Sequence, residues 1–118
     1  MGTFKVTLDI GDPDGRRWET VEALVDTGAS HTLVPSSILR RLGVAPDEQW
    51  PFELADGRTV QCDVAEAFVK IDGRQRHTVV IFGQDDAKPL LGAATLEAFR
   101  LAVDPVGRRL VRVPGLLK

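Results

Sequence analysis

The sequence predicts an all-β domain, a small closed barrel of mainly antiparallel strands with one or two short helices. Apolar residues recur with a period of two, which is typical of half-buried strands. Three hairpin signals separate the strand segments, two of them Asp-Gly and the third Pro-Val-Gly. The 118 residues, 43% hydrophobic and 27% charged, fit a single globular domain spanning positions 1–118.

Alternation is clearest at the start of the chain, where polar residues separate Phe4, Val6, Leu8 and Ile10. A turn signal over Asp12–Gly15 ends this strand. The next strand places Val21, Ala23 and Val25 on one face and leads directly to Asp26.

Three hairpins are expected in the rest of the chain. Asp56-Gly57 and Asp72-Gly73 each predict a two-residue type I′ turn, because both residues tolerate a positive φ. Pro105–Gly107 turns the segment RLAVD back into RRLVRV.

Short helices are predicted after Pro35 and after Gly92. Each follows the same order of strand, glycine-containing turn and short apolar strand, first in ALVDTGASHTLVP and again in VVIFGQDDAKPLLG. This repeated order predicts two half-domains related by a pseudo-twofold axis.

Asp26 is followed by Thr27 and Gly28, and apolar residues then resume at Leu33. A lone solvated carboxylate is a weak base and no acid at neutral pH. Two carboxylates that share one proton supply both a base and an acid, as hydrolysis of a peptide bond requires. The sequence contains one Asp-Thr-Gly, so one chain supplies half of such a pair. A symmetric homodimer would place Asp26 opposite its own copy.

The motif LVDTGAS at Leu24–Ser30, with the later Leu90-Leu91-Gly92 and helix AATLEAF, resembles the retropepsin-like aspartic proteases. These are single-domain, homodimeric relatives of the pepsin fold, and the resemblance spans most of the chain. It implies the acid-protease barrel and an aspartic endopeptidase that acts on peptides or proteins without a cofactor or metal. The family's flap hairpin corresponds to FELADGRTVQCDV, with its tip at Asp56-Gly57.

The resemblance also assigns roles to residues. It implies that Asp26 is catalytic, that Thr27 joins a threonine pair beneath the two carboxylates and that Gly28 belongs to the catalytic triplet. The residues expected to bind substrate are Gly28, Ala29, Ser30, Ala55, Asp56 and Gly57. Retroviral members carry an ion pair where this chain has Ser30, Ala93 and Ala94, which indicates a cellular rather than a viral branch.

These residues also allow other interpretations. Asp26 could simply form an Asx turn. A serine hydrolase built from Ser30, His31 and Asp26 is disfavoured, because adjacent side chains on a strand point to opposite faces. His31 and His77 lack metal-ligand spacing. A catalytically quiet module that binds peptides or dimerises remains the alternative function, since the expected flap tip is charged.

Composition limits the partners. The formal net charge of -2 argues against a nucleic-acid binder. Cys62 is the only cysteine, so no internal disulfide can form and a reducing, cytoplasmic location is expected. No signal peptide or membrane-spanning run is expected either.

Overall fold

A computed structural model describes residues 4–115 and 117 of the chain. This part of the chain contains nine strands and two helices. The strands are β1 (Lys5–Gly11), β2 (Trp18–Val25), β3 (Thr32–Pro35), β4 (Glu48–Glu53), β5 (Thr59–Ile71), β6 (Arg74–Gly83), β7 (Leu90–Leu91), β8 (Leu101–Asp104) and β9 (Arg109–Arg112). The helices are α1 (Ser36–Arg41) and α2 (Ala93–Ala98). Strands dominate and both helices are short, as predicted.

Six strands close into a ring. The order in the main sheet is β1-β2-β7-β3-β6-β5-β4, and a further pairing joins β1 to β5 through Asp9–Lys70 and Ile10–Val69. The ring confirms the predicted closed, barrel-like architecture. Strand β4 extends outward from β5, and β8 and β9 form a separate two-stranded sheet.

The interior of the ring holds one apolar cluster. The predicted alternation of β1 places Leu8 and Ile10 inside, at 1% and 0% exposure. Both helices contribute, through Leu39 of α1 and Leu96 of α2, and Phe99 directly after α2 is fully buried. The helices therefore have a packing role that compensates for their length of six residues, too short for helices to be stable alone. No helix within the described residues is long and apolar enough to cross a membrane.

Strand pairing follows the predicted internal repeat. Strand β2 of the first half pairs in parallel with β7 of the second half, and β6 of the second half pairs in parallel with β3 of the first. The two short strands β3 and β7 meet antiparallel at Leu33 and Leu90. Each half therefore supplies a strand to the other, as a pseudo-twofold axis between them requires.

The two Asp-Gly turns differ. Asp72 and Gly73 have φ values of 50° and 78° between the paired Ile71 and Arg74, so the type I′ prediction is confirmed there. At Asp56-Gly57 it is wrong, because only Gly57 has a positive φ, of 87°.

The second hairpin has a longer turn. The Leu54 N–H donates to the Arg58 carbonyl at 2.7 Å, and the Gly57 N–H donates to the Leu54 carbonyl at 2.9 Å. This arrangement is a three-residue turn closed by a glycine bulge. The Asp56 side chain stabilises the turn by accepting the Arg58 N–H at 3.1 Å and pairing with its guanidinium at 2.7 Å.

Candidate active site

Asp26 directly follows β2 and starts a tight turn. Its N–H donates to the Leu91 carbonyl at 3.0 Å, and its carbonyl accepts the Ala29 N–H at 3.1 Å. The carboxylate Oδ1 accepts the Gly28 N–H at 3.0 Å. Asp26 is half-buried, whereas Thr27 and Gly28 are exposed. Hydrogen bonds to the backbone thus hold Asp26 in place, and the residue stays partly exposed.

Gly28 leaves room for this arrangement. A Cβ atom at position 28 would lie 3.2 Å from the Asp26 Oδ1, a distance that crowds the carboxylate. The absence of a side chain lets the Gly28 N–H approach and orient the oxygen. Part of the Asx-turn interpretation is therefore correct, since the Asp26 side chain does bond the backbone two residues on. Such a bond orients a carboxylate without removing its chemistry.

The loop after Asp26 rests on the start of α2. The N–H groups of Ala93 and Ala94 donate to the carbonyls of Ala29 and Ser30, each at 2.9 Å. Ser30, Ala93 and Ala94 are the positions at which the sequence lacks the ion pair of the retroviral members. The structure brings them together through main-chain hydrogen bonds.

Three buried threonines lie beneath this contact. The Thr32 and Thr95 Oγ1 atoms are 2.6 Å apart, and Thr78 Oγ1 lies 3.3 Å from that of Thr95. Thr32 Oγ1 also accepts the Gly92 N–H at 3.1 Å. Sequence reasoning missed these residues. Their only signal is a hydroxyl placed within otherwise apolar segments, and nothing in one sequence shows that the three meet.

A cleft of about 690 Å³ separates the Asp26 loop, residues 26–31, from the β4–β5 hairpin. Four of the residues expected to bind substrate line it, namely Gly28, Ala29, Ser30 and Ala55. Asp56 and Gly57 lie outside the lining, at the exposed tip of the hairpin. The apolar wall, which sequence reasoning did not assign, comes from Leu33, Trp50, Phe52, Val60, Ile81 and Leu90.

His31 joins the Asp26 loop to this hairpin. Its ring meets those of Trp50 and Phe52 edge-on, with centroid distances of 5.6 and 5.8 Å. Aromatic pairs favour such T-shaped contacts. The hairpin and the Asp26 loop are therefore in direct contact within one chain.

The expectation for Ser30 and His31 is wrong in one respect. Their side chains do not point apart, because Ser30 Oγ lies 2.8 Å from His31 Nδ1. Both residues precede β3, which begins at Thr32, so strand alternation does not apply to them. Within residues 4–115, no hydrogen bond or ion pair joins His31 to Asp26. The Asp26 Oδ1 instead accepts a hydrogen bond from the Gly28 N–H. The three residues thus do not form a serine-hydrolase triad.

The Cys62 thiol and the distribution of metal-ligating side chains also bear on the chemistry. Cys62 lines the cleft, and burial, followed by the charge of Asp63, raises the pKa of its thiol. A raised pKa makes a thiol a poorer nucleophile at neutral pH. No group of three or more His, Cys, Asp or Glu residues in the described part of the chain could hold a metal ion.

Comparison with known proteins finds a matching family and similar solved structures. The family model described as gag-polyprotein putative aspartyl protease matches residues 17–98, a range that includes the Asp26 loop and α2. The fold is similar to the solution structure of simian foamy virus (mac) protease, with a TM-score of 0.57 and 21% sequence identity, covering 80% of this chain and 92% of that one. No curated protein sequence matches the chain.

Proposed function

Because the chain belongs to the family of gag-polyprotein putative aspartyl proteases, we propose that it is an aspartic endopeptidase that works as a homodimer. The observation that carries this proposal is the placement of Asp26. Its Oδ1 is oriented by the Gly28 N–H at 3.0 Å, and Gly28 and the two residues after it line an apolar cleft. A carboxylate next to a groove for an extended apolar peptide fits peptide-bond hydrolysis.

The proposed dimer follows from the chemistry. One chain brings one Asp-Thr-Gly, and a twofold axis beside Asp26 would bring the second carboxylate to it. Thr27 is exposed in the single chain, so its hydroxyl is available to meet the partner chain there. The small residues at Ser30, Ala93 and Ala94, with no ion pair, favour a cellular member of the family.

In the proposed mechanism, a water molecule is held between the two Asp26 carboxylates. The ionised carboxylate removes a proton from the water as it attacks the peptide carbonyl, and the protonated one donates to the leaving nitrogen. No covalent intermediate forms. Because one carboxyl must be protonated and the other ionised, the rate should follow a bell-shaped pH profile.

A second function, peptide binding without cleavage, is favoured by a specific observation. The cleft, with its His31, Trp50 and Phe52 contacts, is formed within one chain. A peptide could occupy it without a second carboxylate. The hairpin tip also carries an Asp56–Arg58 ion pair, the charged tip on which the alternative function rests.

Cleavage of a diverse peptide pool separates these functions. The wild type should cleave, and a statine-type transition-state analogue should inhibit it. Asp26→Asn should lose turnover by roughly 10³-fold or more, while its circular dichroism and melting temperature stay close to wild type, since Asn Oδ1 can still accept the Gly28 N–H. Near-normal cleavage by Asp26→Asn would contradict the aspartic mechanism. Binding of peptide or inhibitor by a wild type that never cleaves would support the binding module.

A further inference from the structure

Four consecutive residues of the second half-domain bond the segment from Asp26 to Thr32 through their main chain. The Leu91 carbonyl accepts the Asp26 N–H, and the Ala93 and Ala94 N–H groups donate to Ala29 and Ser30. Gly92, between them, donates its N–H to the Thr32 side chain. We call this stretch, Leu91–Ala94, the cradle.

The side chain of Thr32, the first residue of β3, also bonds the cradle. Thr32 Oγ1 accepts the Gly92 N–H at 3.1 Å and shares a hydrogen bond of 2.6 Å with Thr95 Oγ1. Thr32 and Thr95 are both 0% exposed, and Gly92 is buried. Because water cannot replace a lost partner there, an unpaired Gly92 N–H would carry its full desolvation penalty.

Gly92 also has little room to move. A Cβ at this position would lie 2.3 Å from the His31 carbonyl oxygen, so the two backbones are in close contact. Thr95 lies in α2, one residue after Ala94. The Thr32–Thr95 bond therefore fixes the first turn of α2, whose N–H groups support the loop.

Building on the proposed function, we infer that Thr32 and Thr95 are positioning residues for the Asp26 carboxylate. They touch no reacting atom. Their hydroxyls hold the cradle in register with the segment that carries Asp26. Thr78, at 3.3 Å from Thr95, extends the buried network into β6.

Thr32→Val removes the hydroxyl with little change in shape and leaves the Gly92 N–H without its acceptor. We expect kcat to fall roughly 10- to 100-fold, with KM within about twofold of wild type, because geometry and not binding surface is lost. Thr32→Ser retains the hydroxyl and should recover kcat to within about threefold of wild type. Thr95→Val leaves the acceptor for Gly92 in place, so its loss should be smaller, roughly 3- to 10-fold.

Val34→Ala is the matched control. Val34 lies on the same strand, is 0% exposed and belongs to the apolar core. Its truncation should lower the melting temperature as a cavity does yet leave kcat near wild type when measured well below that temperature.

Amide hydrogen exchange tests positioning without any substrate. In Thr32→Val, exchange at Ala93 and Ala94 should accelerate roughly 10-fold or more, whereas in Thr32→Ser and Val34→Ala it should stay near wild type. Should Thr32→Val not fold, the Thr95→Val and Thr95→Ser pair gives the same comparison. Wild-type exchange and kcat in the valine variants, or equal effects of Val34→Ala, would overturn the inference. If the wild type never cleaves peptides, the proposed function fails, while exchange still decides the positioning role.

Discussion

The main-chain N–H of Asp26 donates to the carbonyl oxygen of Leu91 at 3.0 Å. Val25, the residue before Asp26, pairs in parallel with the same Leu91. The second half-domain thus fixes the carboxylate that the first half-domain supplies. Substitutions near Leu91 should therefore change chemistry at Asp26 without touching it.

Gly92→Ala tests this dependence. The new methyl would lie 2.3 Å from the His31 carbonyl oxygen, and backbone must move to admit it. We expect a loss of unfolding free energy of about 1–3 kcal/mol, as for an overpacked interior, together with a large loss of kcat. Denaturant unfolding and peptide cleavage measure the two effects. A fully stable and active Gly92→Ala would contradict the close contact.

Gly57→Val tests the hairpin turn. Gly57 has a φ of 87°, and a Cβ there would meet nothing within 4 Å, so any penalty comes from the backbone alone. A β-branched residue resists a positive φ at a cost of about 1–2 kcal/mol. We expect faster amide exchange in the hairpin and a higher KM. Asparagine tolerates this conformation better than valine, so amide exchange and KM in Gly57→Asn should lie between those of the wild type and Gly57→Val. Full activity with unchanged exchange in Gly57→Val would contradict the turn assignment.

His31→Ala tests the link between the Asp26 loop and the hairpin. It removes the edge-on contacts with Trp50 and Phe52, which are worth about 0.5–1.5 kcal/mol each. KM should rise roughly fivefold or more, and His31→Phe should restore much of the loss. His77→Ala is the matched control, because it removes a ring contact with Phe68 that lies outside the cleft lining. The centroids of these two rings are 4.5 Å apart. Equal effects of the two alanine variants would argue against the link.

The lowered pKa of Asp12 predicts how the stability of the fold depends on pH. Hydrogen bonds from the N–H groups of Arg16 at 2.7 Å and Arg17 at 3.1 Å, with the nearby Arg17 guanidinium, hold the pKa of Asp12 below its ordinary 3.8. The folded state therefore binds fewer protons than the unfolded state at this site. The resulting stabilisation is complete above the ordinary value and is lost as the pH falls through the lower folded value.

Asp12→Asn should thus be less stable than wild type near neutral pH, and the difference should shrink by about pH 3. Chemical unfolding across this range measures it. Asp14→Asn, at an exposed position in the same turn, should show no comparable change. A difference that stays constant with pH would mean that the charge of Asp12 contributes nothing.

The sequence was sufficient where local chemistry decides the structure. Alternation placed Leu8 and Ile10 inside, and Asp72-Gly73 formed the turn its φ preferences favour. The repeated order of elements anticipated the crossed pairing of the two halves. Asp56-Gly57 has the same two residues as Asp72-Gly73, but it lies in a three-residue turn in which only Gly57 has a positive φ.

What the sequence could not supply are contacts between distant segments. The Thr32–Thr95 bond and the packing of His31 on Trp50 depend on how the ring closes, which a single sequence does not specify. The side chains of Ser30 and His31 do not point apart as expected, because both residues lie just before β3, where strand alternation does not apply. Tertiary placement, not local preference, decides which polar side chains meet.

The central claim, a pair of Asp26 carboxylates shared between two chains, is tested most directly by mixing wild-type and Asp26→Asn chains at constant total concentration. After subunit exchange with random pairing, dimers with two intact carboxylates occur as the square of the wild-type fraction. An equal mixture should therefore keep about one quarter of the wild-type activity under a shared pair. Retention of about one half, with a linear dependence on the wild-type fraction, would mean that each chain works alone and would contradict the shared site.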